Sequence, residues 1–348
     1  MTVPATLPPL VAILGPTASG KSALGICLAR ELNGEVIACD STQLYRGFDI
    51  GTGKPTLKER EGVRHHLLDV LDPGEEATAG GYREMALAVL ADLRRRNKLP
   101  ILTVGTGLYL RALFEGLADL PQRSEELRDR LRASVARRGE IHLHRLLNRL
   151  DPQSAQRIAP ADTQKLIRAL EVCLLTHRPL SEVHNQGRNP LTGWHVVKIG
   201  LQHSREDLYA RIHARIDRML AIGWQEEVNG LLRTGACDFP ELAGEPRVLN
   251  SAAVPSPLTA PGAPGFTKPF DFLGYRELAA VARNEMSLAQ ARAAIQQATR
   301  RYAKRQQTWF RREAEVRWFN GFGDAAEVQA ETLEWLRRSS ARLPAANQ

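Results

Sequence analysis

The chain has 348 residues, enough for one large or two modest domains, and its 43% hydrophobic content can fill a substantial core. No apolar run approaches the ~18 residues of a membrane span, and no basic region precedes the first apolar run, so we expect neither a membrane segment nor a signal peptide. The four cysteines are scattered without a C-x-x-C pair, which indicates a reducing, cytoplasmic setting rather than a disulfide framework or a zinc site. The net charge of +8 favours a polyanionic partner without establishing one.

The first motif along the chain is a glycine-rich segment that fits the phosphate-binding P-loop pattern G-x-x-x-x-G-K-[ST]. Its residues are Gly15, Pro16, Thr17, Ala18, Ser19, Gly20, Lys21 and Ser22. An apolar run at 10–14 predicts a buried parallel strand before it, and a helix is predicted at 22–32. Backbone N–H groups and the helix N-terminus attract an anion, Lys21 can reach its outer oxygens, and Ser22 can hold Mg²⁺. A glycine-rich turn with a solvated lysine is the alternative, and the loop does not identify the phosphorylated molecule.

Two polar segments follow predicted strands further along. The strand predicted at 34–39 ends at Asp40, and the strand predicted at 99–104 runs into Gly105 and Thr106. In doubly wound α/β folds ligands bind outside the carboxyl ends of the strands, so both segments should face the P-loop. For Asp40, a helix N-cap or turn role is the alternative. The predicted fold class is α/β, with a P-loop nucleoside-triphosphate-hydrolase-like parallel sheet core and a helical insertion domain.

Helices dominate from about residue 117 to 193, where they are predicted at 124–138, 141–150 and 162–177. This segment is rich in arginine, and Lys165 and Arg168 lie three residues apart, so they share a helical face. Such a face suits a phosphate backbone. An ordinary charged, solvated helix surface is the alternative.

A strand at 194–201 and a helix at 205–220 are predicted to return the chain to the core. Arg211 and Arg215 share one face of that helix, and a diphosphate, Asp207 or Asp217 could neutralise them. The sequence alone leaves these possibilities open.

The C-terminal part begins with a stretch at 235–268 that is rich in Pro, Gly, Ala and Ser, which predicts a long mobile loop. A helix predicted at 287–312 interleaves basic and aromatic residues, which fits contact with an RNA backbone or simply an exposed arginine-rich side. Shorter elements are predicted at 66–70 (strand), 79–96 (helix), 315–319 (strand) and 326–338 (helix). The predicted domains are 1–116, the first part of the P-loop core; 117–193, the helical insertion; 194–320, the return to the core with the basic helix; and 321–348, a closing helix and tail.

Five segments together resemble the bacterial tRNA dimethylallyltransferases, also called tRNA isopentenyltransferases. They begin at Gly15, Asp40, Gly105, Leu273 and Tyr302, and the resemblance runs from about residue 9 to 320. It implies that the P-loop holds the diphosphate of dimethylallyl diphosphate rather than a nucleoside triphosphate. It also implies transfer of the dimethylallyl group to N6 of adenosine 37, beside the tRNA anticodon, with release of diphosphate.

The resemblance also assigns roles to individual residues. Asp40 is implied to be the base at N6, while Thr17 and Arg215 bind the diphosphate, which favours Arg215 over Arg211. Lys21, the P-loop amides and Mg²⁺ at Ser22 would neutralise the leaving group, and the target adenine would be flipped out of its stack. The residues implied to contact the tRNA anticodon stem-loop are Asp40, Ser41, Thr42, Gln43, Thr106, Arg128, Gln164, Lys165, Leu166, Ile167, Arg168, Gly274, Tyr275, Arg276, Lys304, Arg305, Gln306, Thr308, Trp309 and Arg311.

The sequence departs from the family pattern at two places, and it is compatible with two other functions. Val104 stands where the family usually has a glycine, which predicts a local change in the turn without loss of function, and the stretch at 235–268 is longer than usual. One alternative is a kinase or isopentenyltransferase acting on a free nucleotide, although a small acceptor needs neither the helical insertion nor the basic helix. The other is a P-loop protein that binds RNA without catalysis. We expect a cytoplasmic monomer with no membrane partner.

Overall fold

A computed structural model of the chain describes residues 7–118, 120–121, 123–185, 188–233 and 271–339. The chain divides into two compact units. The described part of the first runs up to Leu113, from Thr192 to Arg233 and from Asp271 onward, and the second extends from Phe114 to Leu191. The loop predicted at 235–268 and the tail predicted after 339 lie outside the described residues.

Six strands and thirteen helices occur in the described part of the chain. The strands are β1 (Pro9–Leu14), β2 (Gly34–Cys39), β3 (His65–His66), β4 (Leu99–Val104), β5 (His195–Gln202) and β6 (Val316–Asn320). The helices are α1 (Lys21–Glu31), α2 (Ala79–Arg95), α3 (Gly107–Phe114), α4 (Glu125–Arg138), α5 (Glu140–Leu150), α6 (Pro152–Arg157), α7 (Thr163–Thr176), α8 (Leu180–Asn185), α9 (Arg205–Ala221), α10 (Trp224–Arg233), α11 (Tyr275–Ala282), α12 (Leu288–Phe310) and α13 (Ala326–Ser339). No helix of these residues is both long and apolar enough to cross a membrane.

The first unit is built on one parallel sheet with the strand order β3-β2-β4-β1-β5-β6. Its central strand β1 is an apolar run that is buried from Leu10 to Leu14, as expected of a parallel strand covered on both faces. Val11 pairs with Ile101 of β4 on one side and Val197 of β5 on the other. The predicted α/β class is confirmed, and the carboxyl ends of β2, β4 and β1 lie next to one another at one edge of the sheet.

Helix α13 belongs to the core of this unit rather than to a separate closing segment. Val328 and Leu336 of α13 pack in one apolar cluster with Leu24 and Leu28 of α1 and with Phe319 of β6. The turn after β6 is therefore held close to α1, which begins in the P-loop.

The strand predicted at 66–70 is wrong beyond its first residue. β3 contains only His65 and His66, and the backbone then takes positive φ at Leu67 (60°) and Asp69 (56°). A left-handed residue turns the chain out of the extended path and ends the ladder. Val104, which stands where the family usually has a glycine, ends a regular strand. β4 stays paired with β1 and β2 as far as this residue.

The second unit is helical and contains α4 to α8. Serine and aspartate caps begin three of its helices: Ser124 accepts from Leu127 N–H, Asp151 from Ser154 N–H and Asp162 from Lys165 N–H. Its core is leucine-rich and includes Leu143 and Leu147 of α5 together with residues of α4 and α7. The sequence predicted α4, α5 and α7 and missed the short helices α6 and α8.

A buried ion cluster at the amino edge of the sheet offers a test of this fold. Glu35 of β2 has a side chain only 8% exposed, and it accepts from Arg96 Nη2 at 2.9 Å and contacts His66 Nε2 at 2.6 Å. Hydrogen bonds from Arg96, and to a lesser degree from His66, lower the pKa of the Glu35 carboxyl to about 2 although burial opposes them. The carboxylate thus stabilises the fold above the unfolded pKa of about 4.3, and this contribution is lost as pH falls toward the folded value.

We predict that Glu35→Gln lowers the free energy of unfolding by about 3 kcal/mol at pH 7, and by less than half of that near pH 3. Urea denaturation at the two pH values measures the difference. Glu61→Gln, which breaks the exposed pair with Arg30, is the control and should cost less than about 1 kcal/mol. An equal loss for Glu35→Gln at both pH values would contradict the linkage.

Candidate active site

The P-loop turns sharply before α1. Gly20 is the N-cap of this helix with φ 85° and ψ 13°, and a Cβ there would come within 2.6 Å of Gly323 N. Glycine therefore meets both a backbone and a steric need at this position. Gly323 N–H also donates to Ser19 O at 2.9 Å, so the turn after β6 holds the loop in place. The Ser19 hydroxyl is buried with no hydrogen-bond partner in the described part of the chain.

Lys21 lies folded across the loop that carries it. Its Nζ donates to the carbonyl oxygens of Gly15 at 2.8 Å and Pro16 at 2.7 Å. Burial lowers the pKa of the Lys21 ammonium to about 7, with Asp40 opposing this shift and Arg215 adding to it. An anion bound in the loop would favour the charged form of Lys21.

Asp40 and Thr106 come together, as the strand ends predicted. Gly105 N–H and Thr106 N–H both donate to Cys39 O at 3.0 Å, and Ser41 N–H donates to Thr106 Oγ1 at 3.0 Å. These bonds join the end of β2 to the end of β4, and the site therefore has a fixed backbone on this side.

Hydrogen bonds hold the Asp40 carboxylate by one of its two oxygens, Oδ1. Oδ1 accepts from Thr42 N–H at 2.9 Å and from the Thr42 hydroxyl at 2.7 Å. Oδ2 lies against Gly105, where an added Cβ would be 2.0 Å away. No described residue donates a hydrogen bond to Oδ2, which leaves this oxygen able to accept a proton.

Arg215 reaches the same site from α9, as the resemblance implied. Burial lowers the pKa of its guanidinium, and the nearby Asp40 carboxylate opposes that shift. Gly53, with φ 64°, makes room for it, because a Cβ there would lie 1.8 Å from Arg215 Nη2. Arg215, Lys21 and Asp40 are thus close enough for their charges to interact.

Arg211 has another role, and the carboxylates proposed for the pair from sequence are not its partners. Its guanidinium forms an ion pair with Asp324 and lies 4.3 Å from the ring centroid of Phe322. Asp217 instead pairs with Arg292 at 2.6 Å. Although Arg211 and Arg215 lie one helical turn apart, their side chains thus have different partners.

Glu227 is a residue that the sequence did not single out. Its carboxylate accepts from the N–H groups of Asp49 (3.0 Å), Ile50 (2.7 Å) and Gly51 (3.4 Å), and from the Tyr275 hydroxyl at 2.6 Å. Four donors on one carboxylate fix the loop that carries Gly53, against which Arg215 lies. Glu227 is 176 to 178 residues from this loop, so no local pattern could reveal it.

The residues implied to contact tRNA differ in exposure. Exposed members are Gln164, Lys165, Arg276, Lys304, Arg305, Thr308 and Arg311. Half-buried members are Asp40, Ser41, Thr42, Gln43, Thr106, Arg128, Arg168 and Trp309. Buried members are Leu166, Ile167, Gly274, Tyr275 and Gln306.

The buried members have no exposed side chain to offer, so their implied contact with tRNA stays a prediction. Leu166 and Ile167 pack in the apolar core of the second unit, a position that their helical spacing with Leu170 could have predicted. Tyr275 packs against Trp224 and Phe48. These side chains therefore stabilise the core of their unit in the structure described.

Arg128 and Arg168 share one buried carboxylate. Glu171 has a fully buried side chain that accepts from Arg128 Nε at 3.0 Å, Arg168 Nη1 at 2.6 Å and Ser124 N–H at 2.9 Å. Burial opposes the change, but the hydrogen bonds, with that of Arg168 the largest, lower the pKa of Glu171. Both arginines are therefore held in place before any RNA binds.

A cavity of about 670 Å³ opens on the β5–β6 side of the P-loop. Gly15, His203, Trp318 and Phe322 are among its lining residues, and the His203 and Phe322 ring centroids lie 4.6 Å apart. Asp40 and Thr106 follow strands on the opposite side of β1. Asp40 and Thr106 therefore lie on the β2–β4 side of β1, whereas Gly15 and Pro16, whose carbonyl oxygens accept from Lys21, line the cavity.

Comparison with known proteins identifies the family. A family model described as IPP transferase matches residues 43–313, and one described as isopentenyl transferase matches residues 8–74. The tRNA dimethylallyltransferase of Koribacter versatilis is 46% identical, over 95% of this chain and 99% of that protein. The tRNA dimethylallyltransferase of Solibacter usitatus is 45% identical, over 94% and 97%. This chain belongs to the tRNA dimethylallyltransferase family.

Solved structures agree with this assignment. The tRNA isopentenylpyrophosphate transferase of Bacillus halodurans matches with a TM-score of 0.64 and 34% identity, covering 95% of this chain and 96% of that one. A eukaryotic dimethylallyltransferase that acts on tRNA matches with a TM-score of 0.76 and 25% identity, covering 98% and 81%. The enzyme is thus a prenyltransferase with the P-loop fold of its relatives.

The contact between Gly105 and Asp40 leads to a prediction. Gly105→Ala places a methyl group on Oδ2 and must displace either Asp40 or the turn, so we expect the enzyme's prenyl-transfer rate to fall about 100-fold. Gly230→Ala is the matched control, because its Cβ would meet nothing within 4 Å. Single-turnover rates of the two variants decide the matter, and a Gly105→Ala rate within twofold of wild type would show that the contact is unimportant.

Proposed function

We propose that this enzyme transfers the dimethylallyl group of dimethylallyl diphosphate to N6 of adenosine 37 in tRNA. The bond between the allylic carbon and the diphosphate oxygen breaks, a bond from that carbon to N6 forms, the N6 proton passes to Asp40, and diphosphate leaves. One observation carries the proposal: a carboxylate oxygen that no described residue donates to lies near two half-buried cations, Lys21 of the P-loop and Arg215 of α9. The carboxylate can act as a base, and the nearby cations can stabilise an anionic leaving group.

The diphosphate is proposed to bind in the P-loop, residues Gly15 to Ser22. As the allylic bond breaks, negative charge grows on the leaving oxygen, and the positive charges of Lys21 and Arg215 are proposed to stabilise it. The Thr17 hydroxyl is the third proposed contact with the diphosphate. Such groups stabilise the transition state more than the bound substrate, which raises the rate.

Asp40 is proposed as the base. Adenine N6 is a poor nucleophile because its lone pair is delocalised into the ring, so proton acceptance during attack lowers the barrier. Thr42 holds Oδ1 and leaves Oδ2 to accept the proton. The adenine must leave its stack to reach this position.

Ser22 is the residue proposed to hold Mg²⁺. In the described part of the chain, no group of three His, Cys, Asp or Glu side chains could hold a metal ion. Mg²⁺ commonly binds through one or two protein oxygens and the phosphates of a substrate, so a half-buried hydroxyl in the first turn of α1 fits it. When bound, the ion supplies positive charge to the diphosphate oxygens.

The tRNA is proposed to contact exposed basic side chains on both units. Those of α12 and its end are Lys304, Arg305 and Arg311, and that of α7 is Lys165. They would bind phosphates with little dependence on sequence. We also propose a monomeric enzyme, because one chain carries every residue named for the reaction, and light scattering on the purified protein tests it.

The proposed reaction is tested with labelled dimethylallyl diphosphate, Mg²⁺ and either unmodified tRNA or AMP. We expect label in tRNA at adenosine 37 and none in AMP. Label in AMP alone would support the free-nucleotide alternative.

In the same assay we expect Asp40→Asn to retain tRNA affinity and lose about 100-fold or more of the turnover, roughly the contribution of a general base. The asparagine oxygen can still accept from Thr42, so the loss reports on the base. Asp72→Asn removes the same charge from an exposed pair with Arg46 and should be neutral. Wild-type turnover in Asp40→Asn would overturn the assignment of the base.

The lowered pKa of Lys21 gives a pH prediction. As pH rises through about 7 the ammonium of the free enzyme loses its proton, so kcat/KM for dimethylallyl diphosphate should decline. In Lys21→Arg the guanidinium stays charged, and this decline should be absent even if the rate is lower throughout. Lys58→Arg, at an exposed lysine, is the control. Parallel profiles for wild type and Lys21→Arg would contradict the assignment.

A further inference from the structure

Gln306 joins the two halves of the candidate active site. This buried residue of α12 is 6% exposed. Its Oε1 accepts from Thr17 N–H at 2.8 Å, and its Nε2 donates to Gly105 O at 2.7 Å. One amide therefore connects the P-loop to the turn that follows β4.

The two contacts require an amide. Thr17 N–H can only donate and Gly105 O can only accept, so the group between them must accept at one end and donate at the other. A carboxylate would face Gly105 O with a second acceptor. An apolar side chain would leave Thr17 N–H without this partner and Gly105 O with only the longer bond from the Tyr302 hydroxyl at 3.3 Å. Glutamine has both groups, and its side chain is long enough to reach Thr17 N–H and Gly105 O from α12.

Each contact touches a group of the proposed reaction. Thr17 lies on the diphosphate side, and Gly105 lies against Asp40 Oδ2 on the base side. Because Gln306 takes up the Thr17 N–H, that amide is not available to the diphosphate, and the Thr17 hydroxyl is left for this contact. The distance between leaving group and base thus depends on the Gln306 side chain.

We propose that Gln306 is a positioning residue, which sets the distance between the diphosphate site and Asp40 and does not contact tRNA. This inference rests on the proposed function. It replaces the RNA contact implied by the resemblance, since the side chain is buried on the inner face of α12 while Lys304, Arg305 and Thr308 are exposed on the same helix.

The test compares Gln306→Met and Gln306→Glu with Gln297→Met and Gln297→Glu, which change an exposed glutamine of the same helix. Single-turnover rates are measured per folded enzyme with saturating tRNA and dimethylallyl diphosphate. The tRNA Kd is measured separately. We expect Gln306→Met to lose about 100-fold in rate with a tRNA Kd within twofold of wild type, and both Gln297 variants to be unaffected.

The pH dependence of Gln306→Glu separates positioning from general stability. The introduced carboxyl group can again donate to Gly105 O when it is protonated, and burial raises the pKa of a glutamic acid from about 4.3. The rate of this variant, divided by that of wild type, should therefore rise as pH is lowered from about 8 to about 5.5. This readout stands even where Gln306→Met fails to fold.

Three results would overturn the inference while wild type remains active: a rate within twofold of wild type in both Gln306 variants, a flat pH ratio for Gln306→Glu, or a loss confined to tRNA affinity. Failure of wild type to transfer the label would instead overturn the proposed function. The two failures are thus distinguishable in one experiment.

Discussion

Two half-buried cations near one carboxylate are the constraint on which the candidate site depends. Burial lowers the pKa values of Lys21 and Arg215, and Asp40 is the negative charge that opposes both shifts. Removing charge from water is costly unless a partner compensates it. The diphosphate proposed to bind here would provide that partner. In the proposed reaction, the charge that develops on the diphosphate as the allylic bond breaks would lie next to these two cations, an arrangement that favours reaction over mere binding.

Hydrogen bonds to backbone, rather than apolar packing, fix this arrangement. Cys39 O joins the ends of β2 and β4, Gln306 joins the P-loop to Gly105, and Glu227 gathers three N–H groups of the loop beside Arg215. Backbone groups at these strand ends have no ladder partner, so each needs a donor or acceptor from elsewhere. The side chains that satisfy them thereby also set the positions of the reacting groups.

Local patterns could be predicted from the sequence, whereas contacts between distant parts of the chain could not. The P-loop is a local pattern, and Asp40 and Thr106 follow from the rule that parallel strand ends share one edge. Gln306 lies 289 residues from Thr17, so its role is invisible until the chain is folded. The family pattern did draw attention to Gln306, Tyr275 and Leu166, but a pattern of residue types does not separate surface contacts from buried ones.

The basic side chains also differ in whether they lie at the surface or are anchored to buried groups. Lys165 is 70% exposed and pairs with Asp162 at the surface, where an ion pair is worth at most about 1 kcal/mol. A phosphate can replace that carboxylate at little cost. Arg128 is only 13% exposed and is bonded to the buried Glu171, and separating that pair would leave a buried charge unpaired. Arg128 can therefore meet a phosphate only with the guanidinium N–H groups that Glu171 does not use, which gives it a fixed direction. If the proposed tRNA contacts are made, surface-paired cations such as Lys165 would supply adaptable affinity for RNA, and cations anchored like Arg128 would supply orientation.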